Sequence, residues 1–266
     1  MTTVGILYPG YSAEDDYPRA ERLLGPGARL PLVHTLMRED AHRVDALLDV
    51  GSEDVLADGA QALGASDGPL DSIVWACTSG SFVFGWDGAQ AQVAALREVA
   101  GVPASSTSFA FVDACARLGV TSVAVGATYP ADVAERFVEF LAKAGIRVLT
   151  MTPRGIVTAA EVGTLTEDVV LDFAAAVAAD APEAEAILLP DTALHTIELL
   201  DRLDARVGRP VLTANQVSVW QGLRLAGADR ARDGLGALFA AGPGTEPAEP
   251  TTGPGDGARG VDRRTR

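Results

Sequence analysis

The chain has 266 residues, 48% of them hydrophobic, and its 36 acidic against 21 basic side chains give a net charge of −15. That apolar share can fill a sizeable core and is too high for a chain that stays solvated. The negative field argues against nucleic acid and anionic membrane as partners, so any anionic ligand has to be gripped by local groups.

The start, Met1-Thr2-Thr3-Val4-Gly5-Ile6, has no basic region and enters a strand-like run at once, so it does not read as a signal peptide. No apolar run approaches the ~18 residues needed to span a bilayer. Two cysteines without metal-type spacing point to a reducing cytoplasm, where free thiols persist.

Short β-branched runs alternate with longer alanine-rich amphipathic segments up to about residue 240. That alternation predicts an α/β fold of parallel sheets with helices on both faces. Strands are expected at 4–9, 30–35, 72–77, 102–105, 122–126, 146–151, 186–190 and 210–213. The first runs into a loop where Tyr8, Pro9, Tyr11 and Ser12 can close a small pocket. The third, from Ser72, ends at Cys77 and the hydroxyls of Thr78, Ser79 and Ser81; the helix beyond the fourth strand carries Cys115 on an apolar face, as a core residue. After 122–126 come Thr128 and Tyr129, then a helix opened by Pro130, with Val133, Phe137 and Leu141 on one face, and ended by Gly145. The strand at 186–190 delivers Asp191 and Thr192 ahead of a helix expected over 193–203.

Residues 72–118 and 186–225 follow the same order of elements, and 4–12 resembles 122–130. The repeat predicts two pseudo-symmetric, Rossmann-like lobes intertwined in one catalytic unit over residues 1–241, with four strand-end loops meeting at the cleft between them. Residues 242–266, rich in Pro, Gly and Thr, are expected to be a disordered tail.

At the end of a parallel strand, just before a helix, Cys77 faces backbone N–H groups that favour a thiolate, and Thr78, Ser79 and those N–H groups can grip a carboxylate. The alternative is a small buried apolar residue followed by cap hydroxyls. Asp191 is either the partner of Cys77 in an acid–base couple, two anions opposing each other's ionisation, or the cap of the helix that follows. Tyr129 offers a phenol at a third strand end, or is a rim aromatic. His34, His42 and His195 share no ligand spacing, and only His195 lies near a candidate site. No nucleotide, metal-binding or serine-hydrolase motif occurs, so no cofactor or metal is called for.

At these residues the chain resembles the aspartate/glutamate racemase superfamily, in the branch of maleate cis-trans isomerase and arylmalonate decarboxylase. The likeness covers roughly residues 4 to 227 and is most specific at Cys77-Thr78-Ser79-Gly80-Ser81-Phe82, at Ala127-Thr128-Tyr129 and in the Ile187-Leu188-Leu189 run before Asp191. It implies two α/β lobes, no cofactor and a small carboxylic acid as substrate. By position, Cys77 matches the isomerase's nucleophilic cysteine, which the decarboxylase replaces with glycine. Thr78, Ser79 and Tyr129 match the decarboxylase's carboxylate pocket, the dioxyanion hole. Asp191 stands where both usually carry a second cysteine, and Ser12 where the isomerases carry a substrate-binding asparagine.

The first expectation is a cysteine-dependent isomerase of a maleate-like diacid, with Cys77 adding to the double bond, Asp191 handling the proton or orienting substrate, and Pro9, Tyr11, Ser12, Thr78, Ser79, Tyr129 and Thr192 around the substrate. The second is a cofactor-free decarboxylase or racemase working through an enediolate that Cys77 protonates. The third is a non-catalytic carboxylate-binding protein. A homo-oligomer is compatible with each.

Overall fold

The computed structural model describes residues 1–66 and 68–242, so the tail expected at 242–266 lies outside the described residues apart from Gly242. The first half contains β1 (Thr2–Pro9), α1 (Asp16–Leu24), β2 (Ala28–Arg29), β3 (Leu32–Thr35), α2 (Val44–Val50), α3 (Glu53–Ser66), β4 (Ser72–Trp75), α4 (Ser79–Phe82), α5 (Gly85–Ala100), β5 (Ala104–Ser106) and α6 (Thr107–Leu118). The second contains β6 (Ser122–Ala127), α7 (Ala131–Lys143), β7 (Arg147–Pro153), α8 (Ala159–Val162), α9 (Glu167–Asp180), β8 (Ala186–Leu189), α10 (Leu200–Val207), β9 (Val211–Thr213), α11 (Ala214–Leu225) and α12 (Gly236–Ala240).

Every pairing is parallel, and the two sheets run β3-β1-β4-β5 and β7-β6-β8-β9. Each sheet therefore has the same order in its own half of the chain, as the repeat predicted. The strand expected at 30–35 forms only from Leu32. Pro31 has no N–H to donate, so β2 and β3 become separate strands on one edge of β1, while the Pro31 carbonyl still accepts from Ile6 N at 2.8 Å.

Alternation along the strands sets the layers. Val4, Ile6 and Tyr8 of β1 and Val123, Val125 and Ala127 of β6 share one core with Phe111 and Cys115 of α6 and Val217 and Trp220 of α11. The intervening Leu7 and Ala124 face two outer clusters. Although α11 follows the last strand of the second sheet, it packs on β1, β4 and β5 of the first. Gly222 permits that approach: a Cβ there would sit 2.2 Å from Val4 Cγ1. Ser72 Oγ donates to the Gly222 carbonyl at 2.8 Å and fixes the contact.

The helix expected over 193–203 begins only at Leu200. Residues before it are held by distant side chains rather than by helical bonds: Asn215 Nδ2 donates to the Thr192 and Leu194 carbonyls, and Asp16 Oδ2 accepts from Thr196 N and Ile197 N. Among the described residues, no helix is long and apolar enough to cross a membrane.

Candidate active site

Ala76 N donates to the Leu7 carbonyl at 2.8 Å, so β1 and β4 end together and bring Pro9 and Cys77 to one edge. The matching ends of β6 and β8 meet through two short hydrogen bonds: the Tyr129 hydroxyl donates to the Pro190 carbonyl, and Thr128 Oγ1 donates to Asp191 Oδ2. Tyr8 joins the lobes, its hydroxyl donating to the Thr192 carbonyl at 3.0 Å, accepting from Ala13 N at 3.0 Å and lying 2.7 Å from Ser12 Oγ.

Between these ends is a small cavity of about 30 Å³, room for a water or two, so a substituted malonate would need its walls to part. Pro9, Ser12, Cys77, Ser79 and Thr192 line it, which brings together five of the residues expected around a substrate. Thr78, Tyr129 and Asp191 are buried beside it. Tyr11 is not brought in: its ring is 73% exposed and stacks on His34 at 4.2 Å between centroids.

Both cysteines are free, and Cys115 is a core residue as expected. Cys77 Sγ accepts from Gly80 N at 3.2 Å and lies 3.8 Å from Ser79 Oγ. Burial nevertheless dominates, and together with the Asp191 charge it pushes the thiol up to about 11, against the pull of Gly80 and Ser79. Burial thus works against the thiolate expected from the sequence. The physical reason is that burial outweighs the backbone N–H groups of Ser79 and Gly80 at the start of α4, which has only four residues.

Thr78 Oγ1 is buried and has no hydrogen-bond partner among the described residues. Buried polar atoms are rarely left so, and a ligand oxygen would satisfy this one. Burial raises the Tyr129 phenol well above its usual range, with Asp191 and Cys77 adding to the effect and the Thr78 and Ser79 hydroxyls opposing it. It stays a neutral donor. Asp191 has both oxygens bonded to protein, Oδ2 by Thr128 and Oδ1 by Ala193 N at 2.9 Å. It caps no helix; it closes a turn and sets a negative charge near Cys77.

Three residues that the sequence did not assign to the site contribute. Asp16 and Asn215, both buried, shape the 192–197 segment. His42, expected to be peripheral, lines the cavity, and its ring meets Tyr129 edge-on at 4.9 Å. His195, expected nearer the site, instead pairs with Asp15 at 2.8 Å beside α1. The charged surroundings of His42, Arg38-Glu39-Asp40-Ala41-His42-Arg43, gave no local signal of burial.

With this geometry established, likeness to known proteins sharpens its meaning. The family model described as arylmalonate decarboxylase matches residues 33–239. Arylmalonate decarboxylase from Bordetella bronchiseptica is 34% identical over 168 residues, 61% of this chain and 68% of that protein. A liganded arylmalonate decarboxylase mutant, with one glycine changed to cysteine and one cysteine to serine, superposes with a TM-score of 0.77 at 26% identity, covering 90% of this chain and 99% of the other. A maleate cis-trans isomerase mutant from Nocardia farcinica, holding a covalently bound succinylcysteine intermediate, gives a TM-score of 0.78 at 22% identity, covering 90% and 98%.

Proposed function

Because the chain belongs to the arylmalonate decarboxylase family, we propose that it decarboxylates a small α-substituted malonate without a cofactor, with Cys77 as the proton donor. The observation that carries this reading is a buried Cys77 thiol on the wall of a small cavity, where burial pushes its pKa up to about 11. A buried neutral thiol is an acid before it is a nucleophile.

In the proposed reaction the bond from Cα to one carboxylate breaks, and carbon dioxide leaves. The electron pair passes into the remaining carboxylate as an enediolate. Thr78 and Ser79 would donate hydrogen bonds to that charge, which the unpartnered Thr78 hydroxyl supports. Cys77 then gives its proton to Cα, and the thiolate regains one from solvent. The Asp191 charge disfavours a lasting thiolate and so favours return to the acid form. One of the similar structures is a decarboxylase mutant with a glycine changed to cysteine and a cysteine changed to serine, the kind of exchange that the resemblance implies at Cys77 and Asp191.

Incubating phenylmalonate and alkylmalonates with the protein in deuterium oxide tests this. Carbon dioxide release with deuterium at the α carbon, abolished in Cys77→Ala, is the expected result. The second reading, isomerisation of a maleate-like diacid, draws on the Gly80 N–H held 3.2 Å from Cys77 Sγ, a bond that would stabilise a thiolate. Conversion of maleate to fumarate without carbon dioxide release would establish it instead.

A further inference from the structure

We infer that Gln92 is a positioning residue for Cys77: by bonding Gly80 and Gly51 at once, it holds the Gly80 N–H against the sulfur and so sets how readily the thiol gives up its proton. This rests on Cys77 being the reacting group of the site. Gln92 lies on α5 and is buried. Its Nε2 donates to the Gly51 carbonyl at 2.7 Å and to the Gly80 carbonyl at 2.9 Å. Both partners can only accept, so the amide nitrogen faces them and both of its hydrogens are used.

Each carbonyl belongs to the surroundings of Cys77. Gly80 N donates to Cys77 Sγ at 3.2 Å, and a Cβ on Gly80 would sit 3.0 Å from that sulfur. The amides of Val83 and Phe84 donate to Ser79 and Ser81 and pass over Gly80, whose carbonyl is met by Gln92 and by Trp75 Nε1 at 3.4 Å. Gly51 follows α2, whose Leu47 and Val50 line the cavity, and a Cβ on Gly51 would come 2.1 Å from the Gly80 oxygen. Two buried glycine carbonyls thus face one amide. Without its hydrogens they would repel and part, carrying Gly80 away from the sulfur. Packing alone does not explain a glutamine here: its Oε1 is buried with no partner among the described residues, a cost that an apolar side chain would avoid. Burial raises the Cys77 thiol, and the Gly80 bond is the strongest influence against it.

Iodoacetamide labelling of the purified protein, followed site by site by mass spectrometry, reads the Cys77 thiolate without any substrate, with Cys115 as the internal reference. In Gln92→Met, which keeps the volume and loses the donors, Cys77 should alkylate roughly three- to tenfold more slowly at each pH up to about 10, its profile displaced upward by about one pH unit. A purely structural role would act the other way, because a loosened wall exposes the sulfur and speeds its alkylation. Unchanged or faster labelling of Cys77 in folded Gln92→Met overturns the inference. Gly51→Ala, which drives a methyl against the Gly80 oxygen, is read in the same way if Gln92→Met fails to fold. Slower labelling with no turnover of any malonate by the parent sustains the inference and sinks the decarboxylase reading; turnover by the parent with labelling unchanged in the variant does the reverse.

Discussion

Cys77 carries two opposed influences. The Gly80 N–H and the Ser79 hydroxyl favour its thiolate, while burial and Asp191 oppose it and prevail, holding the pKa at about 11. Alkylation by iodoacetamide should therefore be slow at neutral pH and quicken roughly tenfold per pH unit until about pH 11. In Asp191→Asn the midpoint should fall, because a like charge that raised the pKa is gone. It should remain above the ordinary thiol value of 9.0, because burial is the larger cause. A midpoint at or below 9 in the parent would mean that the N–H groups win and would restore the nucleophile. At this scale the sequence located Cys77, Ser79 and Thr192 well, since each directly follows a recognisable strand. It could not place Tyr11 or His42, whose directions are decided by a stacking partner and by the carbonyls of Ile156 and Val157.

Elements succeed or fail here according to whether their backbone bonds are local. On α11, Gly222 lets helix and sheet touch, and Gly222→Ala would drive a methyl into Val4 and Val74. Overpacking of this kind costs about 1–3 kcal/mol, readable as a lower urea midpoint with an unchanged slope. Asp40 acts across the lobes by accepting from the first two amides of α8. Asp40→Ala should cost about 1–3 kcal/mol for the lost bonds to two helix amides and, by loosening the wall that includes His42 and Ala159, raise KM more than it lowers kcat. Equal losses in both would place Asp40's effect on the chemistry instead. The strands were legible because a run such as Ile73-Val74-Trp75 is apolar, short and bounded by polar turns. The false helix at 193–199 had sound local cues, an Asp followed by a Thr. What displaced it were Asp16 and Asn215, side chains brought from far along the chain to bond Thr192, Leu194, Thr196 and Ile197. Pairings of that range leave no periodic trace in sequence.

The two sheets with their identical strand order make a molecule whose lobes meet at strand ends, and the repeat that predicts this was visible because both halves preserve the same sequence of elements. Charge acts at the same scale, and it works against the proposed substrate. A net charge of −15 surrounds a site proposed to take a dianion. The basic residues near the cavity give little relief: Arg43 is paired with Glu39 and Asp45, and Arg38 with Asp49. On the proposed reading, binding relies on neutral donors such as Thr78 and Ser79, whose reach is a few ångströms, while the repulsion extends over a Debye length. That length shrinks from about 30 Å at 0.01 M salt to about 8 Å at 0.15 M. Added salt should therefore screen approach more than it weakens capture, and kcat/KM for a malonate should rise severalfold across that range. The rise should appear in KM, with kcat unchanged, and should be smaller for a monoanionic inhibitor's binding constant than for a dianionic one's. A kcat/KM that falls with salt would instead require a positive field at the mouth of the cavity, and with it a different origin for substrate affinity.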